Sequence, residues 1–218
     1  MTVDVQAARE QMIAQQIRTW NVLDDRVLQT LRQVPRETFT PEPYRALAFA
    51  DTNLPLAYGQ VMLAPKIEGK ILQALQLRST DQVLLIGAGS GHLAACLGRL
   101  AEKVRVIEYH AALAEQAQGR LRLTTSNNVS VEVGDATQLN IEQAYDAIIV
   151  TGSLPVFDER FQRALKVGGR LFVVIGLAAP MEAVKITRLA VDRWQRDSLF
   201  ETELPPLPNA QRPSSFVF

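Results

Sequence analysis

Cysteine, histidine and net charge are what this 218-residue chain lacks. Its single cysteine, Cys96, has no partner for an internal disulfide. With only His92 and His110 besides, the chain offers no set for a protein-built metal centre, and none is expected. Lys and Arg number 23 and Asp and Glu 23, a formal net charge of zero. That balance argues against the broad basic surface that holds DNA, RNA or anionic membrane. No apolar run reaches the roughly 20 residues of a membrane span. The opening residues, Met1 to Gln6, lack the positive-then-apolar pattern of a secretion signal. Internal repeats and low-complexity linkers are missing too. What remains is ordinary globular composition, 47% hydrophobic and 21% charged. A soluble, cytoplasmic, single-domain protein is expected.

Residues 4 to 33 read as helix through Ala8, Met12, Ile13, Ile17 and Trp20, with a break near Asn21 and Asp24 as N-cap of a second helix. Pro35, Pro41 and Pro43 punctuate a stretch, 34 to 64, that reads mostly as loop. Loops this long are often functional. A helical pattern returns over 65–77. Apolar strands then stand at 83–86, 104–107, 129–133, 147–150 and 170–175, with helical stretches at 93–100, 111–123 and 157–165. Apolar strands alternating with helices imply parallel pairing with both sheet faces covered. Two more strands, 183–191 and 194–204, are expected as an antiparallel hairpin at the sheet edge. The proline-rich tail, 205–218, is expected to lie extended on the domain. The fold class is therefore α/β: a Rossmann-like, mostly parallel sheet of about seven strands with an antiparallel edge hairpin and N-terminal helices. One domain would span 1–218, with 1–64 as an N-terminal cap, 65–176 as the ligand-binding core and 177–218 as hairpin and tail.

The chemistry-bearing motif follows the first core strand, where Gln82-Val83-Leu84-Leu85-Ile86 runs into Gly87-Ala88-Gly89-Ser90-Gly91. Glycines there let the backbone turn tightly and approach a ligand, while the next helix offers free N–H groups. In open α/β sheets this is the crevice where nucleotides bind. The dinucleotide fingerprint G-x-G-x-x-G is not met: the third glycine comes one residue early and His92 takes its place. The spacing favours another nucleoside ligand over NAD. Glu108 ends the second strand, placed to accept from both ribose hydroxyls. Gly134-Asp135 ends the third, where a carboxylate can accept from the exocyclic amino group of adenine.

With Glu108, Gly134-Asp135 and Tyr145-Asp146-Ala147-Ile148-Ile149-Val150-Thr151, this glycine loop resembles the class I S-adenosylmethionine-dependent methyltransferases. Val34-Pro35-Arg36-Glu37-Thr38-Phe39, Asp51, Leu54-Pro55 and Gly59-Gln60 narrow the resemblance to the protein-L-isoaspartate O-methyltransferases, over about residues 8–176. The resemblance implies S-adenosyl-L-methionine as cofactor and carboxyl methylation of isoaspartyl peptides or proteins, a protein-repair activity. It implies that Gly87, Gly89 and Gly91 cradle the methionine part, Glu108 the ribose, and Asp135 with Ala136 the adenine, with Ala88, Tyr109, Gly134 and Thr151 also among the cofactor-binding residues.

The chain departs from that family at the segment after Gly59-Gln60, where the family carries Thr-Ile-Ser-Gln-Pro with the serine hydroxyl beside cofactor and substrate. Here Val61-Met62-Leu63-Ala64-Pro65 puts Leu63 in the serine slot. Leu85 replaces a Glu, His92 a Tyr, and Gly152-Ser153 a pair of alanines. A carboxylate acceptor is already ionised near neutral pH, so no general base is needed and no catalytic residue is assigned. Positioning donors are needed instead, and losing one can lower the rate on the order of 10²–10³. Turnover on isoaspartyl substrates is the property Leu63 puts at stake. Gln60, Lys66, His92, Ser153 and Thr151 are the substrate-side candidates left. Lys66 reads first as a solvated lysine, His92 as an ordinary first-turn residue, Cys96 as core, and Trp20 and Trp194 as packing. Two other readings stand: a methyltransferase for a different acceptor, and a non-catalytic binding protein that keeps the fold. No nucleic-acid or membrane partner is expected, and the sequence is silent on oligomeric state.

Overall fold

Asp4 opens the first helix by accepting from the backbone N–H groups of Gln6 and Ala7. The computed structural model describes residues 4–124 and 126–213. Helix α1 (Val5–Met12) passes into one π turn, Ile13–Ile17, and a 3-10 turn, Arg18–Trp20, where left-handed Asn21 ends it. Periodicity predicted plain helix here. The wider π turn keeps Ile13 and Ile17 both fully buried. Asp24 caps α2 (Asp25–Gln33) as expected. The proline-punctuated stretch holds α3 (Arg36–Phe39) and a two-residue antiparallel pair, β1 (Leu54–Pro55) and β2 (Val61–Met62). Pro65 starts α4 (Pro65–Leu75) at the position where its missing N–H matters least.

The core follows as β3 (Gln82–Ile86), α5 (His92–Leu100), β4 (Lys103–Glu108), α6 (Ala111–Leu123), β5 (Val129–Val133), β6 (Tyr145–Leu154), α7 (Glu159–Arg163) and β7 (Leu165–Ile175). An antiparallel hairpin, β8 (Met181–Ala190) and β9 (Arg193–Thr202), completes it. The sheet has seven strands in the order β5-β4-β3-β6-β7-β8-β9. All pairs from β5 to β7 are parallel, and β8 joins β7 antiparallel. Strands β6 and β7 are longer than the sequence predicts, and α7 is shorter, because β6 continues to Leu154 and pairs with β7 almost to its end.

Alternation along the strands divides the core in two. Val83, Leu85, Val104, Val106, Ala147 and Ile149 face the layer that holds α1, α2, α4 and α5. Leu84, Ile86, Ile148, Val150, Leu171 and Val173 face the layer that holds α7. The chain walks from β3 outward to β5, then returns to lay β6 on the other side of β3. That reversal opens a crevice at the carboxyl ends of β3, β4 and β6. After β9 the tail crosses it: Pro206 bridges Ser153 in parallel, Ser153 N–H donates to Pro205 and Leu207 N–H to Ser153. The expected packing of the tail is seen as far as Ala210, residues 211–213 are exposed, and the last five residues lie outside the described ones. No helix among the described residues is long and apolar enough to cross a membrane.

Candidate functional site

The glycine turn after β3 is built around positive φ angles, 89° at Gly87, 52° at Gly89 and 92° at Gly91. Thr151 pins it from β6, its hydroxyl donating to the Ile86 carbonyl at 2.9 Å. A side chain at Gly87 would run into that same hydroxyl. Glu108, buried at the end of β4, supports the turn from below. One carboxylate oxygen accepts from Ala88 N–H at 2.8 Å, and the other from His110 N–H at 2.9 Å.

Beside the turn lies a cleft with about 550 Å³ of empty space. Gly87, Gly89, Glu108 and Tyr109 line one half, and Gly134, Asp135, Ala136 and Thr151 the other. Eight of the ten residues predicted for the cofactor therefore share one cavity. Ala88 lines an adjoining recess of about 260 Å³. Gly91 lines neither: it caps α5, and a side chain there would press on Ala117 of α6. Asp135 accepts from Thr137 N–H at 2.8 Å and from the Asn209 amide at 2.9 Å. Burial pushes its carboxyl up, but the Thr137 and Asn209 bonds outweigh this and hold it below the usual carboxylate range.

Of the substrate-side candidates, Gln60 lines the cleft and Leu63 the recess. The other three line neither. Lys66 is paired with Asp51 at 2.8 Å and sits over the Trp20 ring, 4.2 Å from its centroid. Ser153 is 1% exposed, and its hydroxyl donates to the Leu204 carbonyl. His92 is also 1% exposed, with Nδ1 2.7 Å from Glu68 Oε2 and Nε2 3.8 Å from the Cys96 sulfur. Each has a structural partner within the protein.

The sequence reading missed two things. Arg36 and Glu68 form a buried ion pair at 2.5 Å, and Arg36 also donates to the carbonyls of Ala48 and Leu63. The signal was present: Glu68 falls on the stripe Ile67, Ile71, Leu72, Leu75 that α4 buries. The tail is the second omission, since Pro205, Leu207 and Pro208 form one wall of the cleft. Tyr58 of the β1–β2 loop stacks on His110, ring centroids 4.2 Å apart.

The family model for protein-L-isoaspartate(D-aspartate) O-methyltransferase matches residues 7–207. The chain belongs to that family. Among its relatives is a protein-L-isoaspartate O-methyltransferase 1 of Rhodopseudomonas palustris, 40% identical over 203 residues, covering 92% of this chain and 83% of the relative. A protein-L-isoaspartate O-methyltransferase from another strain of that species is 39% identical over 202 residues, 92% of this chain and 93% of the relative. A family structure from Plasmodium falciparum, solved with S-adenosyl-L-homocysteine, superposes with a TM-score of 0.79 at 20% identity, covering 93% of this chain and 97% of that one. At that identity the likeness is one of fold. It agrees with the seven-stranded, Rossmann-like sheet seen here.

Proposed function

We propose that the chain transfers the methyl group of S-adenosylmethionine to the free carboxylate of an isoaspartyl residue in a peptide or protein. Family membership across residues 7–207 carries this reading, and the cleft at the strand-order reversal supports it. S-adenosylmethionine supplies a methyl group made electrophilic by its bond to a sulfonium. The acceptor oxygen attacks that carbon in line, the carbon–sulfur bond breaks with its electrons passing to sulfur, and a methyl ester and S-adenosylhomocysteine leave. The residues at hand fit the cofactor. Glu108 lines the cleft and is placed to accept from ribose hydroxyls, and Asp135 with Ala136 forms the adenine end. The positive-φ glycines let backbone approach where a side chain would intrude. In this reading residues up to 64 cap the cleft, 65–176 bind the cofactor, and the hairpin and tail complete the wall.

The acceptor end is plainer than in the resembled family. Leu63 brings an apolar side chain where a hydroxyl would orient the carboxylate, and Gln60 is the polar side chain at the cleft on that side. An open groove of about 990 Å³ meets the cleft at Val61 and runs between Asn53, Leu177 and Glu203, room suited to an extended polypeptide. A cytoplasmic setting suits a chain whose one cysteine is buried and unpaired. Transfer of labelled methyl from S-adenosylmethionine to an isoaspartyl peptide tests the reading. Leu63→Ser should raise the rate by about tenfold or more, on the scale of restoring one positioning donor. If neither form methylates the peptide although both bind S-adenosylhomocysteine, the acceptor is another group, the reading that the apolar Leu63 favours next.

A further inference from the structure

We infer that Glu68 binds the cofactor, holding the ammonium group at the amino-acid end of S-adenosylmethionine. The inference rests on the proposed cofactor and adds a ligand-binding residue to it. The recess shares Val61, Gly87, Gly89 and Thr151 with the cleft, so the two adjoin at the glycine turn. Glu108 and Asp135 border only the larger part. With the nucleoside against those two strand ends, the opposite end of an extended ligand crosses the turn into the recess. That end is a zwitterion, an ammonium and a carboxylate on one carbon.

Leu63, Met62, Val61 and Leu93 give the recess apolar walls, and Glu68 is the one charged side chain among the described residues lining it. It is 2% exposed. An ammonium entering such a space loses its water and is stabilised there only by a counter-charge and hydrogen-bond acceptors. Both neighbours of Glu68 address the same oxygen: Arg36 reaches Oε2 at 2.5 Å and His92 Nδ1 reaches it at 2.7 Å. Oε1 makes no hydrogen bond among the described residues, although the side chain lines the recess. The carboxylate is thus anchored through one oxygen and offers the other, the arrangement that a charge-assisted bond from an ammonium requires. Burial pushes this carboxyl up, but its contacts with His92 and Arg36 outweigh it and hold it below the usual carboxylate range.

Calorimetric titration of wild-type protein and Glu68→Gln separates the possibilities, using three probes: S-adenosylhomocysteine, its des-amino analogue, and 5′-methylthioadenosine, which lacks the amino-acid end. Wild type should bind S-adenosylhomocysteine about tenfold or more tighter than the des-amino analogue. Glu68→Gln should lose about that factor for S-adenosylhomocysteine and nothing for the other two. An equal loss for all three makes Glu68 a packing residue and overturns the inference while leaving the cofactor assignment intact. An unchanged affinity for S-adenosylhomocysteine overturns it as well. Wild-type protein that binds none of the three refutes the cofactor reading, and this inference with it. Should the variant fail to fold, a crystal structure of wild type with S-adenosylhomocysteine decides. The amino nitrogen should lie within hydrogen-bond distance of Glu68 Oε1, and a nitrogen placed elsewhere overturns the assignment.

Discussion

Thr151 and Gly87 depend on one another, because the hydroxyl that fixes the end of β3 occupies the space of any side chain at 87. Gly87→Ala should abolish detectable S-adenosylhomocysteine binding and lower thermal stability. Adding Thr151→Ala should recover part of that stability by removing the collision. A penalty on the order of 1 kcal/mol should remain, because φ stays at 89°. A double variant no more stable than Gly87→Ala alone would show that the collision is not the cause. Glu108 serves two ends, since the oxygens meant for the ribose also accept from Ala88 and His110. Glu108→Ala should weaken cofactor binding by about 1.5–3 kcal/mol, the scale of hydrogen bonds to a charged group. Calorimetry giving wild-type affinity would sink the ribose assignment. Glu108 was legible because strand periodicity puts it at the end of an apolar run. Glu68 was legible only as a position on the buried stripe of α4; its partners stand 32 and 24 residues away and only the fold joins them.

Among the elements, the parallel strands and the edge hairpin were readable from apolar runs and glycine breaks. Their ends were less so, since the limits of β6 and β7 are set by pairing with each other. The tail was legible only as extended chain. Its route depends on Gly152, where a side chain would come within 2.8 Å of the Leu207 backbone. The glycine standing in place of a family alanine is what lets the tail lie in contact with β6. Gly152→Ala should push the tail away, destabilise the protein by about 1–3 kcal/mol as overpacking does, and weaken cofactor binding. Limited proteolysis should then cut near residues 203–210. Resistance equal to wild type would mean that the tail is held by other contacts. The β1–β2 loop meets the core through the Tyr58–His110 stack, next in sequence to Tyr109 of the cleft. Tyr58→Ala should speed S-adenosylhomocysteine release in stopped-flow measurements, and an unchanged dissociation rate would remove the stack from the binding process.

At the scale of the whole molecule, Arg36, Glu68 and His92 join three separate parts of the fold: α3, α4, and the first turn of α5. The Glu68 carboxyl lies below its ordinary value of 4.5 in the folded protein. A carboxyl so depressed contributes stability that is present above the unfolded value and is lost as pH falls toward the folded one. The stability advantage of wild type over Glu68→Gln should therefore hold at neutral pH and shrink below about pH 4.5. Melting temperatures that stay parallel down to pH 3 would contradict this. The cleft's wall is drawn from distant stretches of sequence, with Gln60 and Val61 on one side and Pro205 to Pro208 on another. During synthesis the sheet strands β3 to β7 emerge well before those last residues. A nascent chain therefore reaches most of its core while the ligand cavity still has an open side. The full lining of the cleft is complete only once residues 205–208 have packed against β6.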